Sequence, residues 1–60
     1  MTQYDAVALA EGFQEGTSDE VRAAWQYLID TGMAWSLQGW FGRRARYLID
    51  TGICSPAQAS

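Results

Sequence analysis

Apolar residues recur at helical spacing in two stretches of the chain. Val21, Ala24, Trp25, Leu28 and Ile29 fall at i, i+3, i+4, i+7 and i+8, with Glu20, Arg22, Gln26 and Asp30 on the opposite side. That spacing predicts an amphipathic helix over residues 18–31. Thr17, followed three residues on by Glu20, supplies a capping box, and Asp19 and Glu20 sit favourably at the positive end of the helix dipole. Leu37, Phe41, Ala45, Leu48 and Ile49 repeat the period and predict a second helix over 36–51, with Ser36 as its N-cap. The hexapeptide from Tyr27 to Gly32 recurs unchanged from Tyr47 to Gly52, twenty residues on. Each copy reads as a helix end, with Gly32 or Gly52 in the left-handed conformation and Met33 or Ile53 folding back onto Leu28 or Leu48. Two copies of so short a unit do not build a solenoid, so the expected arrangement is an antiparallel helical hairpin.

Ahead of the hairpin, residues 3–11 predict a short helix with Tyr4, Val7, Ala8 and Glu11 on one side, ending at Gly12. A strand through Ala6–Ala10 is the alternative, and the alanine content favours helix. Residues 13–16 form a linker in which Phe13 is placed to staple onto the helix after it. The tail, 55–60, carries Pro56 and small polar residues and is expected to fray. The whole chain, residues 1–60, therefore reads as one small all-α domain.

Composition changes this picture in two ways. A chain of 60 residues buries only about 60% of the surface its unfolded form exposes, and such a core usually needs a disulfide, a metal or a partner. Cys54 is the only cysteine and there is no histidine, which excludes an internal disulfide, a Cys/His zinc site and every histidine-based triad. Three Trp, three Tyr and two Phe are a heavy aromatic load for this length, so self-association into a homo-oligomer is the expected staple. Cys54 itself reads as a small buried apolar residue. No run approaches the 18 or so apolar residues that cross a bilayer, and Met1–Asp5 lacks the basic start of a signal peptide; the expected location is the cytosol, away from membranes.

Charge is split along the chain. Residues 1–30 hold six acids and one base, a net −5, whereas 31–60 hold Arg43, Arg44 and Arg46 against Asp50, a net +2. Lysine is absent, so every cation is a planar guanidinium suited to bidentate contacts with carboxylate or phosphate. Catalysis finds little support. The best acid pair, Asp30 and Asp50, would lie at opposite ends of the hairpin and reads as two solvated residues, so no enzyme activity, metal or cofactor is expected.

The strongest candidate site is the stretch 37–46, with Trp35 just before it. Gly39, Gly42, Arg43 and Arg46 fall at i, i+3, i+4 and i+7, which lays two residues without side chains beside two guanidiniums on one helix side. A helix-interior glycine costs about 1 kcal/mol relative to alanine, which calls for something approaching closely. The bland account puts Trp40 and Phe41 in the core and pairs the arginines with Glu15, Asp19 and Glu20. Two functional accounts share the surface formed by Gln38, Gly39, Trp40, Gly42, Arg43, Arg44 and Arg46. One is a protein interface, where Trp and Arg dominate binding energy. The other is an anion pocket in which guanidiniums clamp phosphate and Trp35 or Trp40 stacks on a base. A helix-turn-helix DNA regulator ranks third, because phosphate contacts dominate DNA affinity and the chain carries net −3.

Leu37-Gln38-Gly39, Gly42-Arg43, Ala45, Leu48-Ile49, Gly52 and Cys54 together resemble a family of very short bacteriophage proteins, many from actinobacterial hosts, with the pattern Leu-Gln-Gly-x-x-Gly-Arg-x-Ala followed by Leu-Ile-x-x-Gly-x-Cys. The likeness covers about half the chain, Trp25 to Cys54. Arg44 stands where that family has a small polar residue, and Trp40-Phe41 where it has a smaller or more polar pair. The resemblance implies a phage accessory protein working in the host cytoplasm. By analogy it implies a non-enzymatic inhibitor of a host protein, with sequestration of a phosphate-bearing small molecule, such as a nucleotide immune signal, as the alternative.

Overall fold

Helix begins at the third residue in the computed structural model, which describes residues 1–57. Thr2 caps α1 (Gln3–Glu11), its hydroxyl oxygen accepting the Asp5 N–H at 3.1 Å. This Thr-x-x-Asp signal is of the same kind as the Thr17 cap. At the other end Gly12 turns left-handed, and the N–H groups of Gly12 and Phe13 donate to the carbonyls of Leu9 and Ala8 at 3.3 and 3.0 Å. That pair of bonds is a Schellman motif. α2 (Ser18–Asp30) opens with the expected capping box: Glu20 N–H donates to Thr17 Oγ1 at 3.1 Å, and Thr17 N–H to Glu20 Oε1 at 2.8 Å.

The two hexapeptide copies end their helices identically. Thr31 and Thr51 N–H donate to the carbonyls of Tyr27 and Tyr47 at 3.0 Å, and their hydroxyls donate to the same oxygens at 2.9 Å. Beyond the glycines the two copies diverge. Gly32, at φ 79°, caps a one-turn helix α3 (Met33–Ser36), which the sequence pattern does not announce because a single turn is too short to show a period. Ser36 closes α3 instead of capping the next helix. α4 (Gly39–Asp50) starts after Leu37 has gone extended, with Gln38 as an N-cap that makes no side-chain capping bond. After the second copy, Ile53 stays 46% exposed, and Cys54 turns inward with its N–H on the Leu48 carbonyl at 2.9 Å. The expected contact of Ile53 back onto the helix is thus carried by the next residue.

Phe41, Leu28 and Ile29 are the largest fully buried side chains. The stripes of α2 and α4 face inward as their periodicity predicts, with Val21, Ile49 and Leu37, which lies ahead of α4, only partly buried. α1 differs from its expected facing. Ala6 and Leu9 are buried, whereas Tyr4 is 80% exposed, and Phe13 at 84% exposure staples nothing. α1 packs more extensively on α2 than α3 does, and Ala6 of α1 and Ala24 of α2 both lie in the core with no exposed surface. α4 meets α2 through large side chains, with the Trp25 and Phe41 rings 5.7 Å apart.

A clasp joins the second half back to α2. The Gln26 side chain accepts the Ser55 N–H at 2.8 Å and donates to the Ser55 carbonyl at 2.9 Å, while Cys54 Sγ donates to the Arg22 carbonyl at 3.8 Å. Pro56 and Ala57 are exposed, and residues 58–60 of the tail expected to fray lie outside the described residues. No helix among the described residues is long and apolar enough to cross a membrane.

Cys54 is buried, and burial pushes its thiol above the ordinary value; Arg22 opposes the shift and Asp30 adds to it. The native chain should therefore react with iodoacetamide far more slowly than the unfolded chain. Because the folded thiol titrates higher than the unfolded one, its contribution to stability is complete below the unfolded pKa and is lost as pH rises towards the folded one. Denaturant midpoints measured in the alkaline range check this, with Cys54→Ala flattening the decline.

Candidate binding surface on α4

Phe41, Ala45 and Leu48 turn inward on α4 and thereby set where its other residues point. At about 100° per residue, Gly39, Arg43, Arg46 and Asp50 share the line facing solvent, with Trp40 and Tyr47 on one flank and Gly42 on the other. All three arginines are exposed, but they do not converge. Arg43 folds back over the helix start, where a Cβ added at Gly39 would meet its Nη1 at 3.3 Å. Arg46 pairs with Asp50 at 3.3 Å. Arg44 points about 100° away from Arg43 and lies over the Tyr47 ring, 5.2 Å from its centroid.

The expected pairing of these arginines with the acidic first half is not what forms. Both ion pairs among the described residues are local, Arg22 with Asp19 at 3.5 Å and Arg46 with Asp50, and each is well exposed. Arg43 and Arg44 have no carboxylate partner within that set. Asp30 accepts a bond from Gln26 at 2.9 Å, and both it and Asp50 are exposed. The described residues contain no group of three or more acidic or thiol side chains able to hold a metal ion.

The aromatic residues divide between core and surface. Trp25, Trp40 and Phe41 form one cluster: Trp40 lies 4.0 Å from Phe41 between ring centroids and meets Trp25 edge-on at 6.2 Å. Trp25 and Phe41 are buried, and Trp40 leaves 38% of itself at the surface. Trp35 is 51% exposed and lies alongside Gly42, its ring 3.6 Å from where a Cβ would stand. Gln38 is exposed at the helix start. The residues singled out by sequence thus form a convex, open face around α4 and not a cavity.

A groove lies to one side of this face. About 420 Å³ in volume, it opens between the start of α2 and the outer flank of α4, floored by Val21, Trp25, Leu48 and Ile53 and bordered by Arg22 and Arg44. Only Arg44 of the expected surface reaches it. Three segments separated in sequence build this groove, and no local pattern announces it.

Fold and surface together define a small all-helical domain whose second half presents an aromatic and cationic exterior. A family model described as "Domain of unknown function (DUF7417)" matches residues 7–59, and the chain belongs to that family. No curated protein and no solved structure matches it.

Proposed function

We propose that the chain is a non-catalytic binding module that engages and disables a host protein through the outward face of α4, in the manner of a small phage accessory protein. The observation that carries this reading is Gly42. Nothing among the described residues requires glycine there: its backbone is helical, and an added Cβ would make only ordinary contact with Trp35 and the Ala34 carbonyl. Alanine would be more favourable by about 1 kcal/mol. The chain instead keeps glycine between the edge of an exposed indole, which rests beside it, and the Arg43–Arg46 line, so that indole and guanidiniums are offered together to a partner. Arg43 supports the same reading, being a guanidinium without a carboxylate among the described residues and adjacent to exposed aromatic surface, the composition of interface hot spots.

The test is capture from host lysate with the tagged chain, followed by affinity measurement on the recovered complex. Arg43→Glu should weaken binding by about 30-fold or more, the effect of losing a hot-spot residue, while leaving helicity unchanged because Arg43 holds no ion pair among the described residues. Gly42→Ala should raise the melting temperature and weaken the complex. A complex of undiminished affinity in both variants would overturn the proposal.

A further inference from the structure

We propose that the groove between α2 and α4 is the receptor for Phe13 of a second copy of this chain, so that two copies exchange Phe13 side chains across a twofold axis. Phe13 is an unusual surface residue. In a Schellman motif the apolar residue at this position ordinarily rests on its own helix. Here its backbone is pinned by the 3.0 Å bond to the Ala8 carbonyl, yet its ring stands 84% exposed. The ring is therefore presented outward on a fixed backbone, and docking it costs little ordering. On either side stand Glu11 and Glu15, exposed and with no ion pair among the described residues.

The groove has the complementary chemistry. Its floor of Val21, Trp25, Leu48 and Ile53 is apolar, and its rim carries Arg22 and Arg44, one bound only to an exposed Asp19 and the other resting on a tyrosine ring. An aromatic ring between two carboxylates fits an apolar trough between two guanidiniums. Reciprocity arises from position: Gly16, three residues after Phe13, borders the groove, so a twofold axis beside residues 13–16 sets each Phe13 opposite the other copy's trough. A buried aromatic removes about 150–250 Å² and the walls it covers remove a comparable area, so two insertions bury about 600–1,000 Å². That is the range of weak, reversible interfaces, and the dimer should form at high micromolar concentration and dissociate on dilution.

Sedimentation equilibrium on the full chain tests this. The mass should rise from one copy to two with concentration. Phe13→Ala should weaken association at least tenfold with unchanged circular dichroism, and raising salt from about 0.1 to about 1 M should weaken it severalfold. In concentration-dependent NMR, the methyl signals of Val21, Leu48 and Ile53 should shift while the indole N–H of Trp35 and the backbone amide of Gly42 stay fixed. A chain that remains a monomer to about 1 mM, or a dimer that Phe13→Ala leaves intact, would overturn the proposal. So would contacts of Phe13 with its own Leu48 that persist on dilution, or shifts confined to Trp35 and Gly42. Phe13 lies outside the α4 face, so this outcome and that of the host-protein experiment are independent.

Discussion

Phe41→Ala should leave the chain largely unfolded at 25 °C. The side chain is buried to within 2% and joins Trp25 of α2 to Trp40 of its own helix. Truncating a core phenylalanine costs about 3–5 kcal/mol, and a single core in a chain of this size rarely supplies more than about 3–5 kcal/mol in total. The aromatic pair with Trp25 removes about another 0.5–1.5 kcal/mol when the ring is lost. Far-UV circular dichroism should show most of the helix signal gone, while Phe41→Leu, which keeps most of the volume, stays folded at a cost below about 1.5 kcal/mol. A cooperative melt of Phe41→Ala near that of the parent would mean that the α2–α4 contact contributes little.

Ala24→Leu tests the opposite fault, too much side chain where the backbone needs room. Helix propensity barely separates the two residues, and the added carbons would be favourable by about 0.8 kcal/mol per CH₂ if they found space. They find little, because Ala24 has zero exposure and sits within the buried core. Overpacking of this kind costs about 1–3 kcal/mol, and each kcal/mol lowers the melting temperature of so small a domain by about 4–8 °C. Ala23→Leu, one residue earlier and exposed, should change stability by less than about 0.5 kcal/mol. If the two variants melted alike, the core around Ala24 would have room that its zero exposure denies.

Those alanines also mark where the sequence stops being informative. α2 is legible from end to end, because its cap, its stripe and its glycine stop all agree, and the structure reproduces each of them. α4 is legible along its length but not at its start, where Ser36 is the better N-cap by residue type and the one-turn α3 takes it instead. α1 is legible as a helix but not in its facing. Tyr4 carries the larger apolar area, yet the small residue Ala6 and Leu9 of the next turn are the ones buried, with Val7 packed partly against the core. Hydropathy ranks residues by size of apolar surface, whereas two helices in close contact favour the absence of a side chain. The clustered arginines of α4 are visible in sequence as a group, but their divergence around the helix and the pairing of Arg46 with Asp50 depend on which face is buried. The groove needs α2, α4 and Ile53 brought together, and no spacing rule encodes that.

The Gln26–Ser55 clasp bears on how fast and in what order the chain folds. Most of the architecture is assembled from neighbours, α1 with α2, α2 with α3, α3 with α4, and so closes only short loops. Such topologies fold in microseconds to milliseconds. The bonds from Gln26 to Ser55 and from Cys54 to Arg22 span 29 and 32 residues and carry a large loop-closure entropy for polar contacts in so short a chain. They are the natural last step, formed once the repeated Tyr-Leu-Ile-Asp-Thr-Gly ending has turned the chain back towards α2. Until then the groove floor lacks Ile53, so the groove between α2 and α4 is complete only once the whole chain has folded.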